Sequence, residues 1–401
     1  MEVRKIKVYH INTPNHRGGA AKIAITLNNS LIKKKYKSYI LTNKTKKQLT
    51  ISNLLDPLLQ QITEKLDIQD ILKFFSFELL FNESFRRSDI IHLHNLHGDY
   101  FGLLSLPIIT KRKKVVWTLH DMWALTGHCG NSLECNKFVN DKCEGCMYPK
   151  VYPAMKKDRA YKLFSIKSWT YKHSDFQIIV PSKWLENQVK RSILKNKKIH
   201  YIPNGIDINI FKQYDKMQVR EKLGLPKDKI ILLFSANGGS RNPWKGPQYL
   251  MNAIKEINRS EWRDKVLFLD IGGNSDKRYN YVAINYIKNE ELMAQYYSSA
   301  DMYIFPTLAD NAPLTVLEAM ACGLPVVTFD TGGVPEIVSH MESGYVAQYK
   351  SQSDFNKGIF LLLQSTLLRN EMSKKAIETV NNKFTLDKMT DRYIKLYESI
   401  I

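Results

Sequence analysis

Short runs of β-branched and aromatic residues alternate along the chain with longer segments whose apolar positions recur at helical spacing. This alternation is typical of βαβ units and parallel sheets. It predicts strands in two consecutive series. The first series covers residues 6–11, 38–42, 89–94, 115–120, 176–181 and 199–203, and the second covers residues 230–236, 266–272, 283–287, 302–306 and 326–329.

The stretch PNGIDINIF, residues 203–211, separates the two series. Its Pro, Gly, Asn and Asp residues favour turns and continue neither a strand nor a helix. The predicted fold is therefore α/β, with two doubly wound, Rossmann-like domains at residues 1–205 and 206–384, and a C-terminal helix at about residues 385–401 that packs back on the first domain. Because ligands of such folds bind beside the carboxyl ends of the strands, we expect the site in a central cleft between the domains.

Apolar residues also recur at helical spacing through residues 51–85, with Pro57 near the start of the segment. Two interpretations of this stripe are open. It belongs to the hydrophobic core, or it forms an amphipathic edge that contacts a membrane or a lipid acceptor.

Composition narrows the class of protein. With 401 residues, of which 44% are hydrophobic and 24% charged, the chain is neither fibrous nor disordered. The longest uncharged apolar stretch, residues 101–110, is far shorter than the roughly 20 residues needed to cross a bilayer. The first residues lack the apolar core of a signal peptide. We therefore expect a cytoplasmic protein.

The formal net charge of +20 is spread unevenly, since residues 1–203 carry 35 Lys and Arg against 16 Asp and Glu, whereas residues 204–401 carry 24 against 23. Such asymmetry indicates a polyanionic partner for the first half, although a genome rich in lysine codons is an alternative explanation. The sequence contains no RNA-reading aromatic motif or DNA-reading helix, so nucleic acid is not expected. We expect peripheral contact with an anionic membrane. The basic segments are residues 33–37, 111–114, 156–172 and 190–198.

Candidate chemistry concentrates in residues 305–333, FPTLADNAPLTVLEAMACGLPVVTFDTGG. Two carboxylates, Asp310 and Glu318, are separated by seven residues, after a predicted strand and at a predicted helix. The first helical turn leaves backbone N–H groups without internal acceptors, and such a terminus favours phosphate. A capping Asp and a solvated helical Glu would be the purely structural interpretation.

In this stretch the sequence resembles the retaining glycosyltransferases of the GT-B fold, namely glycosyltransferase family 4, and in particular bacterial exopolysaccharide and capsule glycosyltransferases. Residues 319–327, AMACGLPVV, and residues 332–336, GGVPE, match the family pattern, whereas Asp310 stands where the family has Glu. The resemblance implies that Glu318 binds the ribose hydroxyls of a nucleotide and that Asp310 contacts the donor sugar. The backbone expected to hold sugar and phosphate oxygens belongs to Asn311, Ala312, Pro313, Leu314 and Thr315.

Two further motifs match the family in the first half of the chain. TPNHRGGAAK, residues 13–22, follows the first strand, and its Gly18 and Gly19 allow close backbone approach to ligand oxygens. A glycine turn between a strand and a helix is also common as a purely structural feature. WTLHD, residues 117–121, places His120 at the end of a strand, and family members with a similar motif use this histidine at the donor sugar.

In the second half, GGSRNPWKG, residues 238–246, places Arg241 and Lys245 beside the start of a predicted helix. Positive groups at this position suit a pyrophosphate, whose negative charge grows as it leaves. No D-x-D motif occurs, so we expect these groups to neutralise the diphosphate without a catalytic metal. The donor would be a UDP-, GDP- or other nucleotide sugar.

The resemblance thus implies retaining transfer of a sugar to a lipid-linked saccharide or oligosaccharide in surface polysaccharide biosynthesis, at the inner face of the cell membrane. Retention would follow from attack on the face that the diphosphate leaves, with the leaving phosphate accepting the proton of the acceptor. A sugar epimerase or a phosphorylase-like enzyme of the same fold is an alternative reading. A nucleic-acid-binding protein is a second alternative, from a different class.

Four of the five cysteines cluster in one segment that ends in C-x-x-C. In a cytosolic chain this cluster is typical of a structural zinc site, and disulfides and free thiols remain as alternatives. The candidate ligands are Cys129, Cys135, Cys143 and Cys146.

Overall fold

The computed structural model describes residues 6–13, 18–41, 50–66, 68, 70–140, 142–236, 243–272, 276–278 and 280–401. The chain divides into two compact units. Unit 1 contains Met1–Pro203 together with Met389–Ile401, and unit 2 contains Asn204–Lys388.

Unit 1 is built on a sheet of six parallel strands in the order β2-β1-β3-β4-β5-β6. Its central strands are short apolar runs, buried on both faces because helices cover both sides of a parallel sheet. The strands are β1 Lys7–Ile11, β2 Lys37–Ile40, β3 Ile90–Leu93, β4 Lys114–Thr118, β5 Gln177–Val180 and β6 Ile199–Tyr201. The helices are α1 Gly19–Lys33, α2 Thr50–Lys65, α3 Phe74–Glu78, α4 Glu83–Arg87, α5 Leu106–Arg112, α6 Lys137–Asn140, α7 Ala160–Lys172 and α8 Lys183–Lys190.

Unit 2 has a seven-stranded sheet in the order β13-β12-β11-β7-β8-β10-β9, parallel except for the pairing of β9 with β10. The strands are β7 Ile230–Ser235, β8 Val266–Ile271, β9 Asp276–Arg278, β10 Tyr281–Ile284, β11 Met302–Phe305, β12 Val326–Phe329 and β13 Gly344–Ala347. The helices of unit 2 are α9 Lys216–Leu223, α10 Pro247–Asn258, α11 Glu290–Ser299, α12 Leu314–Ala321, α13 Gln352–Gln364 and α14 Thr366–Lys383. The last helix, α15 Leu386–Ile400, lies mostly in the C-terminal segment that belongs to unit 1.

The predicted fold class is confirmed, because each unit is a doubly wound, Rossmann-like α/β sheet. Each of the predicted strands is present, with ends that differ by at most three residues. The pattern missed β9 and β13. The first is a three-residue edge strand, and the second is a four-residue strand that begins with glycine.

The C-terminal helix α15 supplies polar partners to the sheet of unit 1. The ring nitrogen Nδ1 of His92 lies 2.7 Å from the hydroxyl of Tyr397, and the hydroxyl of Tyr393 lies 3.1 Å from Oγ1 of Thr118. His92, Thr118 and both tyrosines are buried. These bonds satisfy polar groups that would otherwise be costly to bury in the core.

Helix α2 exposes the apolar stripe that its sequence pattern predicted. Leu54, Leu58 and Ile62 have exposed fractions of 71%, 57% and 54%, whereas Ser52 and Thr63 on the same helix are buried. The interpretation of this part of the stripe as core is therefore wrong.

Two carboxylates fix the orientation of α2. Glu78 accepts hydrogen bonds from the backbone N–H groups of Ile51 and Ser52, at 3.2 and 2.8 Å. Asp56 accepts from the N–H groups of Phe74 and Phe75 at the start of α3, at 2.5 and 3.2 Å. Each helix thus caps the other, which turns the side of α2 that carries Ser52 and Asp56 toward α3.

No helix in the described part of the chain is long and apolar enough to cross a membrane.

Candidate functional site

The candidate site of unit 2 lies at the carboxyl end of β11, where the chain passes through residues 306–313 before α12 begins. Pro313 is the N-cap of α12, and its side chain makes no capping hydrogen bond. The first N–H groups of the helix are donors without intrahelical acceptors, as expected for a phosphate-binding terminus. Asn204 supports this loop by donating from Nδ2 to the carbonyl oxygen of Ala312 at 3.1 Å. Asn204 belongs to the stretch PNGIDINIF, residues 203–211, where the sequence pattern predicts only a linker.

An ion pair joins the two candidate residues Lys245 and Asp310. Nζ of Lys245 lies 2.9 Å from Oδ1 and 2.6 Å from Oδ2 of Asp310, and both side chains are about one-fifth exposed. The hydroxyl of Thr307 also donates to Oδ2 of Asp310. The ammonium group lies 5.1 Å from the centre of the Phe305 ring. The positive charge of Lys245 is therefore compensated within unit 2.

Two glycines permit the backbone approaches on which this ion pair depends. A Cβ atom on Gly246 would lie 2.0 Å from the carbonyl oxygen of Pro306, and one on Gly332 would lie 1.8 Å from the carbonyl oxygen of Asp310. Both glycines also have positive φ, at 62° and 58°. Only glycine meets both requirements at these positions.

Glu318 lies on α12 and is buried, with an exposed fraction of 5%. Its Oε2 accepts a hydrogen bond of 3.5 Å from the hydroxyl of Tyr297. Burial, with smaller contributions from Tyr303 and Glu318, raises the pKa of Tyr297 well above its usual value, so the phenol stays protonated and donates. The hydroxyl of Ser235 lies 3.2 Å from that of Tyr297 and 2.9 Å from that of Tyr303. A buried polar network therefore holds the carboxylate.

In unit 1, His120 follows the end of β4 as predicted and is partly accessible to solvent. Its Nε2 lies 3.1 Å from Nδ1 of the fully buried His94. Burial lowers the pKa of His120 to about 4, so its ring is neutral at physiological pH.

The turn after His120 is fixed by two ionisable side chains. Asp121 accepts from the N–H of Trp123 at 2.9 Å and lies 2.8 Å from Nε2 of His97. The buried Lys167 donates to the carbonyl oxygens of Trp123 and Thr126, at 2.6 and 3.1 Å, and burial lowers its pKa to about 7. Sequence reasoning missed Lys167, because a lysine in a helix gives no signal that it points into the core.

Gly18 and Gly19 lie at the start of α1 and are exposed. Gly18 has a φ of 85°, and a Cβ atom added to it would meet no heavy atom of the described residues within 4 Å. Arg241 falls outside the described residues, so its role stays a prediction.

None of the four clustered cysteines forms a disulfide in the structure. Burial raises the pKa of Cys129 to about 11 and that of Cys143 to about 12. Cys146 Sγ lies 3.3 Å from Nε2 of His128. Among the described residues, the cysteines do not form a group of three ligand atoms within 4.8 Å of one another, and only His10, His92 and His94 do so. The zinc site stays a prediction.

Two family models match consecutive parts of the chain. The model described as "Glycosyltransferase Family 4" matches residues 17–210, and the model described as "Glycosyl transferases group 1" matches residues 215–379. The chain belongs to glycosyltransferase family 4. It is a glycosyltransferase, a transferase of class EC 2.4, as the resemblance implied.

Three curated relatives resemble this glycosyltransferase over half or more of its length. An uncharacterised protein in the cps region of Klebsiella pneumoniae is 24% identical and covers 79% of this chain and 80% of its own. The putative colanic acid biosynthesis glycosyl transferase WcaC of Escherichia coli is 26% identical over 62% of each chain. An Escherichia coli protein named UDP-Gal:alpha-D-GlcNAc-diphosphoundecaprenol alpha-1,3-galactosyltransferase is 25% identical over 53% of this chain and 57% of its own.

Solved structures share the fold of the glycosyltransferase. Sucrose-phosphate synthase from Thermosynechococcus elongatus has a TM-score of 0.70 and 17% identity over 98% of this chain and 99% of its own. HepE from Anabaena, crystallised with UDP-glucose, has a TM-score of 0.65 and 14% identity over 98% of this chain and all of its own.

The close contact at Gly332 gives a test of the site's backbone. Gly332→Ala should lower the free energy of unfolding more than Gly224→Ala, which has a similar φ of 65° but no heavy atom within 4 Å of the added Cβ. Both variants carry the left-handed backbone cost, roughly 1–2 kcal/mol. The steric clash with Asp310 should add about 1–3 kcal/mol at Gly332 alone. Urea unfolding of both variants measures this difference, and equal losses would contradict the close approach.

Proposed function

We propose that the chain is a retaining glycosyltransferase that moves a sugar from a nucleotide diphosphate sugar to a lipid-linked saccharide in surface polysaccharide biosynthesis. The observation that carries the proposal is the arrangement at α12. The Lys245–Asp310 pair precedes the helix, the free N–H groups begin it, and the buried Glu318 lies one to two turns further on. In this arrangement Asp310 suits a sugar, Lys245 and the start of the helix suit a diphosphate, and Glu318 suits a ribose.

The relatives support the substrate classes. One relative is named for UDP-Gal as its donor and for a diphosphoundecaprenol-linked acceptor, and HepE was crystallised with UDP-glucose. By analogy, we infer a nucleotide-sugar donor and a lipid-linked acceptor here.

In the proposed reaction, the bond between the anomeric carbon and the diphosphate oxygen breaks, and a bond from the same carbon to the acceptor oxygen forms on the same face. The acceptor hydroxyl gives its proton to the leaving phosphate, so no protein base is needed. Lys245, Arg241 and the N-terminus of α12 stabilise the charge that develops on the phosphate. Glu318 accepts hydrogen bonds from the ribose hydroxyls, and His120 contacts the donor sugar.

The ion pair adds a step to donor binding. In the structure, Lys245 is neutralised by Asp310. A diphosphate would compete with Asp310 for Lys245, and hydroxyls of the donor sugar would then replace Lys245 as donors to Asp310. We propose that the pair exchanges partners in this way when the donor binds.

A panel of nucleotide sugars, incubated with a lipid-linked saccharide, tests the function. We expect one nucleotide sugar to release its nucleoside diphosphate and to give a product whose anomeric configuration matches that of the donor, as read by NMR. Conversion of a sugar within an intact nucleotide sugar would indicate an epimerase. Formation of a sugar phosphate from saccharide and inorganic phosphate would indicate a phosphorylase.

Glu318→Gln tests the ribose assignment. The amide keeps the size of the side chain and an oxygen that accepts from Tyr297, but it loses the negative charge. Because a hydrogen bond to a charged group is worth about 1.5–3 kcal/mol, calorimetry should show the nucleoside diphosphate bound about tenfold to a hundredfold more weakly. Glu371→Gln, an exposed glutamate on α14, is the control for the loss of one charge from unit 2. Unchanged affinity in Glu318→Gln would refute the assignment.

We also propose that unit 1 contacts an anionic membrane through its excess positive charge and through the outward stripe of α2. The two contributions differ in their salt dependence, because salt screens the charges, with a Debye length of about 10 Å at 0.1 M, but does not weaken apolar insertion. Substitution of the exposed leucines of α2 separates the apolar contribution to membrane binding from the contribution of the charges.

Vesicle co-sedimentation of the full chain over a salt series measures both contributions. Binding should rise with the content of anionic lipid, fall with salt and keep a salt-resistant part that the double variant Leu54→Ser, Leu58→Ser removes. Leu367→Ser, in unit 2, is the matched control, because Leu367 is 70% exposed and Leu54 is 71% exposed. Binding that is independent of anionic lipid and unchanged in the double variant would refute membrane contact through these groups.

A further inference from the structure

Four histidines form a layer on one face of the unit 1 sheet, and we call His10, His92, His94 and His120 the histidine layer. His10 on β1 pairs in register with His92 on β3. Nδ1 of His10 lies 3.1 Å from Nε2 of His94, and Nδ1 of His94 lies 3.1 Å from Nε2 of His120. The planes of the two rings meet at 28° in the first pair and 16° in the second, with centroids 5.4 Å apart in both. A continuous chain of imidazole contacts therefore links the buried His10 to His120.

His10, His92 and His94 are close enough together to suggest a metal site. The contacts of their ring nitrogens instead indicate hydrogen bonds. Nε2 of His92 lies 2.7 Å from Oγ1 of Thr118, and its Nδ1 lies 2.7 Å from the hydroxyl of Tyr397. Both nitrogens of His94 and Nδ1 of His10 are also engaged. Five of the six ring nitrogens thus have hydrogen-bond partners, and a metal would have to displace them.

The imidazole contacts couple the tautomers of His10, His94 and His120. A neutral imidazole has one N–H donor and one acceptor nitrogen, so each N···N contact needs a proton on only one of its two atoms. Two arrangements satisfy both contacts. The protons lie on Nδ1 of His10, His94 and His120, or they lie on Nε2 of all three.

Nε2 of His10 distinguishes the two arrangements. This atom is buried and has no hydrogen-bond partner in the described part of the chain. A proton on Nε2 would leave an N–H group buried without an acceptor, which proteins avoid more strictly than an unused acceptor. The arrangement with protons on Nδ1 is therefore favoured, and His120 receives a hydrogen bond at Nε2.

We propose that His10 and His94 are positioning residues that hold His120 as its Nδ1–H tautomer, with the ring fixed against the sheet. In this tautomer, the N–H group of His120 is at Nδ1, and an N–H donor has the polarity that a sugar hydroxyl oxygen requires. The inference rests on the proposed function, in which His120 contacts the donor sugar.

The burial of the layer supports neutral rings. Removal from water lowers the pKa of His10 to about 3 and that of His120 to about 4. It also holds the pKa values of His92 and His94 well below their usual range. A neutral imidazole keeps one N–H proton, as the coupling of the tautomers requires.

Proton–nitrogen correlation NMR of the full chain with ¹⁵N-labelled histidine tests the tautomer directly, and the signal missing from His120→Gln identifies His120. In the wild type, His120 should carry its proton on Nδ1. In His94→Phe, which keeps a ring but removes both nitrogens, we expect a mixture of tautomers. His92→Phe is the matched control, because it removes a buried histidine of the same layer that does not contact His120, and His120 should stay Nδ1–H. A proton on Nε2 in the wild type, or an unchanged tautomer in His94→Phe, would overturn the inference.

Kinetics separates this inference from the proposed function. With an active donor and acceptor, kcat/KM should fall about tenfold in His94→Phe, the loss expected for one misplaced hydrogen bond, and less in His92→Phe. If NMR shows the expected tautomers but no nucleotide sugar is turned over, the coupling of the histidines is supported and the proposed function is refuted. Normal turnover with equal kcat/KM in His94→Phe and the wild type would refute the positioning role alone.

Discussion

The ion pair between Lys245 and Asp310 is the interaction on which the site of unit 2 depends. Its two side chains come from different βα connections, and each is brought into place by a glycine. Gly246 lies against the carbonyl of Pro306, and Gly332 lies against the carbonyl of Asp310. Because charged hydrogen bonds are worth about 1.5–3 kcal/mol and are directional, the pair also fixes the loop that leads into α12. Removing either glycine would therefore disturb the pair without touching a charged group.

Most of the fold could be predicted from the sequence, because parallel strands buried on both faces read as short runs of β-branched and aromatic residues. Strand β9 has the sequence DKR and joins the sheet only as an antiparallel edge, so no hydrophobic run marks it. The orientation of α2 was also beyond prediction. Periodicity shows that an apolar stripe exists, whereas its outward direction follows from the capping of α2 by Glu78 and of α3 by Asp56, residues distant along the chain.

The candidate site was predicted in part, since motifs identify single residues but not their partners. Asp310 and Lys245 were predicted separately, and their pairing follows from the neighbouring positions of β7 and β11 in the sheet. Likewise, the sequence indicated His120 alone. His10 lies on β1 and His94 directly follows β3, and the register of these two strands brings their rings together. Tertiary contacts between strands that are distant in sequence therefore account for what the motifs missed.

The polar groups buried in the two units are stabilised in different ways, and this difference affects donor binding. Unit 1 keeps its histidine layer neutral, so that layer offers hydrogen bonds and no charge. Unit 2 joins Lys245 and Asp310 in an ion pair. On the proposed function, a nucleoside diphosphate alone draws Lys245 away and leaves Asp310 without its strongest partner, whereas the intact donor also brings sugar hydroxyls to Asp310. Because a mostly buried carboxylate without an ion-pair partner is costly, the pair couples recognition of the diphosphate to recognition of the sugar, and it favours the complete donor over its product.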